Sequence, residues 1–223
     1  MARFISKKSM QGFTLIELMV SLVLSLVSVI ALMSVYKTTA KSAAEASFAA
    51  NIDGQIALGL LASDRILQSA GYNVSSGSSS YGGYIKIYDG GTAIALVGGV
   101  ATGSAVVWKS SSTKCQALVG GYSLKYYGEP GYDCTGVELP SGTVPNQTLI
   151  NIPTAAIPNS VSPGLTRITI KSTPINSYCQ PFGISSAVPG GAYTAAIDAN
   201  IYAGSSSTLA NTVTSSTCLF NFR

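Results

Sequence analysis

The chain has 223 residues and a formal charge of +4, but Arg3, Lys7 and Lys8 supply three of its thirteen basic residues and the remaining ten face nine acidic ones. That near-neutral balance excludes a chain-wide basic footprint for nucleic acid, and 47% hydrophobic residues exclude a disordered tail. With no His, and four Cys of which no two have two-residue ligand spacing, neither the usual general base for a Ser or Cys nucleophile nor a zinc framework is present, so no cofactor, metal or catalytic residue is expected.

The first element follows that basic cluster. After the small Gly12, an apolar run extends from Phe13 to Val35 with a single formal charge, Glu17. As a helix it spans roughly 35 Å at ~1.5 Å per residue, against an apolar bilayer core of about 30 Å. The positive-inside rule holds the basic cluster in the cytoplasm, so everything after Val35 is expected beyond the inner membrane. A secretory signal has a shorter apolar core with no acid inside it. A plain signal anchor would leave Glu17 without a cation, because the nearest downstream one, Lys37, is roughly five helical turns away. Ser21, Ser25 and Ser28 are small enough to let another helix approach closely.

The residues Gln11-Gly12-Phe13-Thr14-Leu15-Ile16-Glu17 resemble the class III signal of type IV pilins and of type II secretion pseudopilins. The resemblance implies that a prepilin peptidase cuts between Gly12 and Phe13 and that the new Phe13 amine is methylated. The apolar helix then stays as an assembly element, with Glu17 pairing with the amino terminus of a neighbouring subunit. The organisation this implies is a cleaved leader at 1–12, a long helix at 13–71 whose 13–35 part is transmembrane, and a β-rich exported domain at 72–223.

Beyond the membrane the helical pattern continues from Tyr36 to Ala70 without Pro. Ile52, Ile56, Leu60 and Leu67 fall on one face, with Asp53, Gln55, Asp64 and Gln68 off it, which predicts packing on the chain's own domain. Gly54 and Gly59 weaken the helix locally, and Gly71 supplies a stop. Leu61-Ala62-Ser63-Asp64-Arg65-Ile66 followed by Ala70-Gly71-Tyr72 resembles the helix end of PilW-type minor pilins. Major pilins commonly break the apolar segment with Gly and Pro, where Leu26 and Ser34 stand here; the helix therefore lacks a reason to melt there, unlike that of a bulk filament subunit.

After Gly71 the composition turns to Ser, Gly and Tyr, with Ser75 to Gly83 the most linker-like stretch. Short β-type runs follow at Tyr84–Tyr88, Ser104–Trp108, Tyr122–Tyr127, Thr148–Ile152, Arg167–Lys171 and Thr217–Phe222. The predicted fold class is α+β, one long helix on an antiparallel sheet as in the type IV pilin fold, with irregular connections such as 174–191 at the surface. All four cysteines, Cys115, Cys134, Cys179 and Cys218, lie in the exported part, where an oxidising periplasm permits disulfides. Of the three possible connectivities, Cys115 with Cys134 and Cys179 with Cys218 close loops within single segments.

Asp89, Glu129, Asp133, Glu138 and Asp198 form no catalytic motif and read as surface acids, so the chain is not expected to be an enzyme. Seven tyrosines between Tyr81 and Tyr132, near Trp108, Lys109, Lys114 and Lys125, could form an aromatic and basic ligand surface for DNA or glycan; ordinary strand tyrosines are the commoner explanation. The resulting expectation is a minor pilin, first a single-pass inner-membrane protein and then part of the cell-surface pilus. Its partners are the prepilin peptidase and other major and minor pilins. A type II secretion pseudopilin, or a pilus-borne adhesin or DNA receptor, is the alternative.

Overall fold

The computed structural model describes residues 14–72, 74, 81–142, 145, 147–151, 166–173, 179, 191–202 and 209–222. The chain divides into two compact units, Met1–Ser47 and Phe48–Arg223. A single helix, α1 (Leu15–Ser69), contributes to both. It runs uninterrupted through Gly54 and Gly59, so the local cost of those glycines is overcome by what surrounds them.

In the second unit the helix and the ten strands among the described residues enclose a main core. The strands are β1 (Ile85–Asp89), β2 (Thr92–Ile94), β3 (Val100–Gly103), β4 (Ala105–Lys109), β5 (Lys114–Val119), β6 (Ser123–Asp133), β7 (Gln147–Asn151), β8 (Thr166–Ser172), β9 (Tyr193–Tyr202) and β10 (Leu209–Cys218). They form two antiparallel sheets, ordered β2-β1-β4-β5-β6-β7 and β10-β9-β8-β3, where the sequence predicted one. Along each strand the side chains alternate between faces. Ile85, Ile87, Val106, Trp108, Leu118, Leu124 and Ile150 of the larger sheet meet Ala101, Ile168, Ile170, Ala195, Ile197 and Ala199 of the smaller one. Ile52, Ile56, Leu60 and Leu67 of the helix enter the same core, as their spacing predicts. Each fully buried aliphatic side chain of this kind stabilises by about 1.5–3 kcal/mol.

Gly59 shows how closely the helix approaches the larger sheet. A Cβ at this position would run into Ile150 Cγ1 and lie 2.8 Å from the Leu149 carbonyl oxygen of β7. One turn on, Ser63 is fully buried and donates to the Gly59 carbonyl at 2.7 Å, so its hydroxyl is satisfied within the helix. At the helix end Gly71 takes φ 78°, the left-handed conformation of a helix C′ residue. The side chain of Asn221 donates to the Ala70 carbonyl at 2.9 Å and the Gln68 carbonyl at 3.4 Å, satisfying acceptors that the last turn leaves without partners.

That capping changes the predicted C-terminal strand. Instead of running from Thr217 to Phe222, β10 ends at Cys218, and Leu219 and Phe222 turn together into the core. Two fully buried side chains three residues apart suit a turn better than a strand of period two. The predicted runs at Tyr84, Ser104, Thr148 and Arg167 correspond to β1, β4, β7 and β8 within a residue or so, and Tyr122–Tyr127 is the first half of the longer β6. Strands β2, β3, β5 and β9 were not predicted. Most of the predicted linker and of the 174–191 connection lies outside the described residues.

Candidate functional site

In the first unit, Thr14 precedes the helix and its carbonyl accepts from the Glu17 amide at 3.1 Å and the Leu18 amide at 3.3 Å. Thr14 is therefore the N-cap and Glu17 the third helical residue, where the helix macrodipole favours an acid. From Leu15 to Val35 every residue is solvent-exposed, Leu15 at 77% and Met33 at 70%. The helix carries a window of mean hydropathy 2.6, and by length and composition it can cross a membrane. An apolar surface of that extent needs lipid or protein against it.

Glu17 shares a shallow depression of the helix surface with Thr14, Ile16, Val20, Ser21 and Leu24, none of them cationic. Among the described residues the nearest cation along the helix, Lys37, lies roughly 30 Å away at ~1.5 Å per residue. Ser21 donates back to the Leu18 carbonyl at 2.9 Å and Ser28 to the Leu24 carbonyl at 2.8 Å. With their hydroxyls satisfied inside the helix, both act as small spacers on its surface. Gly12 and Phe13, the predicted cleavage and methylation residues, lie outside the described residues.

In the second unit the cysteines form two disulfides, Cys115–Cys134 and Cys179–Cys218, with Cα separations of 5.8 and 5.5 Å. The first fastens the segment after β6 across the outer face of the larger sheet. There Val137 and Leu139 cover Tyr88, Val107, Ala117 and Tyr132 in a second, smaller core. Tyr88 donates to the Val137 carbonyl and Tyr132 to the Glu138 carbonyl at 2.6 Å. Burial pushes both hydroxyls above their ordinary value, that of Tyr132 far above it, and repulsion from Glu138 adds to each. The second disulfide holds the end of β10, from which the capping turn begins.

Of the four residues predicted as a ligand surface, Lys109 and Lys114 flank the β4–β5 hairpin, while Trp108 and Lys125 lie apart from them. Trp108 is fully buried, a core residue: its indole donates to Gln116 Oε1 at 3.1 Å and stacks on Tyr126. Val106 and Trp108 share the inward face of β4, which takes the indole away from solvent. Lys109 reaches the Thr135 carbonyl at 3.3 Å and lies 5.8 Å from the Tyr84 ring centroid. Lys114 pairs with Asp133 at 2.9 Å, while Lys125 lies farther along the sheet, opposite Val119 and Thr148. The tyrosines divide between the two cores, Tyr81, Tyr84, Tyr122 and Tyr126 against the main one and Tyr88, Tyr127 and Tyr132 in the smaller.

Asp64, the acid of the quoted helix end, holds Gln68 Nε2 at 2.9 Å and accepts from the Thr217 hydroxyl of β10. Sequence reading missed Thr217 and Asn221 as the residues that tie the helix end to the C-terminus. The only local signal for Asn221 is its turn-forming character inside the predicted run Thr217–Phe222.

A family model described as the prokaryotic N-terminal methylation motif matches residues 7–33. No curated protein and no solved structure matches the chain. The matched segment contains Gly12, Phe13 and Glu17, and the N-methylation motif implies processing by a prepilin peptidase. The chain is thus prepilin-like, with a class III signal at its N-terminus. Its long apolar helix and antiparallel sheets make a pilin-like α+β fold.

Proposed function

We propose that this chain is a minor subunit of a type IV pilus, contributing to filament initiation or its tip. Cleavage after Gly12 releases Phe13 as the new, methylated amino terminus. Before assembly the subunit sits in the inner membrane with its leader side in the cytoplasm and the part from 72 to 223 outside. The observation that supports this reading most is Glu17, the lone acid of the wholly exposed apolar stretch 15–35, inside the matched methylation motif. A carboxylate and an ammonium about 4 Å apart attract by about 4 kcal/mol at an effective dielectric of 20. That attraction sets the register of adjacent subunits, while apolar contact supplies most of the association.

A pseudopilin of type II secretion would use the same signal and the same pair. The features favouring the minor-pilin reading are the PilW-like residues Asp64, Arg65 and Ala70-Gly71-Tyr72. Among them, Asp64 and Gly71 anchor the helix end to Thr217 and Phe222. Mass spectrometry of sheared pili tests the proposal. It should find a chain beginning at methylated Phe13, at low abundance beside the bulk subunit. A processed chain absent from pili and required for export of a secreted protein would favour the pseudopilin reading.

A further inference from the structure

A cleft of about 300 Å³ opens where the helix end meets the larger sheet, lined by Ser69, Gly71 and Tyr72 from the helix end and Trp108, Ser110, Gln116 and Tyr126 from the strands. It lies entirely within Phe48–Arg223 and has no part in the assembly proposal. Its volume is at the small end of clefts that hold ligands, about 300–1,000 Å³. Three aromatic side chains and three polar ones share the lining, and none carries charge.

The polar groups are what single it out. Gln116 is only 7% exposed, and its Oε1 accepts from the Trp108 indole. Its amide nitrogen has no partner among the described residues, and a buried donor without an acceptor carries a desolvation cost until one arrives. Tyr72 is 83% exposed beside it, an aromatic ring with nothing packed on its outer face. Trp108 stacks on Tyr126 with ring centroids 6.4 Å apart and planes 15° apart, and a Cβ on Gly128 would strike the Tyr126 ring. The Tyr126 ring is thereby held between the indole and the β6 backbone, a rigid wall facing the cleft.

We infer that this cleft binds a neutral sugar ring. A pyranose offers an apolar C–H face to an aromatic ring and hydroxyls to polar groups: the exposed Tyr72 ring takes the face, the Gln116 amide donates to a hydroxyl oxygen, and Ser69 and Ser110, whose own protons go to the Ile66 and Lys114 carbonyls, accept from hydroxyls. A purely apolar ligand would leave the Gln116 donor unsatisfied. A nucleotide would bring a phosphate to a lining without a cation.

Trp108 is the sole Trp of the chain, so its fluorescence reports on this cleft. The full chain in detergent would be titrated with glucose, galactose, mannose and N-acetylglucosamine, and separately with a short oligothymidylate. At least one sugar should change the emission saturably, with a dissociation constant on the order of millimolar, as a ligand of few atoms allows. Tyr72→Ala removes an exposed ring without touching the core and should weaken that response about tenfold with an unchanged circular dichroism spectrum. Gln116→Met keeps the volume and should weaken it as well. No saturable response to any of the four sugars overturns the inference, as does a response equal in the wild type and Tyr72→Ala. A response to the oligothymidylate alone overturns it in favour of base stacking.

Discussion

Gly54 and Gly59 lie five positions apart on one helix, and the same substitution should have opposite effects on them. In an exposed helix Gly→Ala stabilises by about 0.5–1 kcal/mol through backbone entropy. At Gly54 nothing lies within 4 Å of an added Cβ, so Gly54→Ala should show that gain in full. At Gly59 the added Cβ would collide with Ile150 and come 2.8 Å from the Leu149 carbonyl oxygen, a backbone atom that moves only if β7 moves. Overpacking of this kind costs about 1–3 kcal/mol. The intrinsic gain is common to both variants, so their difference isolates the packing cost and should be about 1–3 kcal/mol. For a chain of this size that separates the melting temperatures by at least about 2 °C. Thermal unfolding of both full-length variants in detergent, followed by circular dichroism, measures the difference. A Gly59→Ala protein as stable as Gly54→Ala would refute the close helix-to-sheet packing.

Two further outcomes follow from the second unit. Replacing both cysteines of either disulfide by Ser should destabilise by about 2–5 kcal/mol, read from denaturant midpoints; loss at Cys179 and Cys218 should also expose the capping turn to protease, while loss at Cys115 and Cys134 should instead loosen the strap over Tyr88. Alkaline pH acts on Tyr132, whose folded-state pKa is raised above the ordinary 10.0. A raised pKa contributes stability that is complete below about pH 10 and is lost as pH rises through the folded value. Tyr132→Phe, which keeps the ring, should flatten the fall in stability above pH 10; an unchanged alkaline limb would contradict the role given to burial.

How much of this was legible in the linear chain depends on how local each cause is. The apolar run, its lone acid and the motif around Gly12-Phe13 are contiguous and read directly. The stripe Ile52, Ile56, Leu60 and Leu67 follows the helical period, and all four residues are buried. Strands rich in β-branched residues, such as Ile85–Asp89 and Thr166–Ser172, also announce themselves. Strand β9 does not, because its inward positions include Ala195 and Ala199, whose small side chains fit the core but carry weak strand preference. The two-sheet arrangement rests on long-range contacts, such as the Gly121 amide donating to Thr166 Oγ1 at 2.8 Å, for which no local pattern exists. The surroundings of Trp108 were hidden for the same reason: its neighbours Gln116 and Tyr126 belong to other strands. Likewise the cleft draws on residues from 69 to 126, which only the fold brings together.

The most direct test of the account is the fate of Glu17→Val, measured as its amount in sheared pili relative to the membrane pool by quantitative mass spectrometry. The account predicts that the variant is cut and inserted as the wild type is, while its share in pili falls at least about tenfold. Incorporation at the wild-type level would contradict the claim that this acid is half of an intersubunit pair.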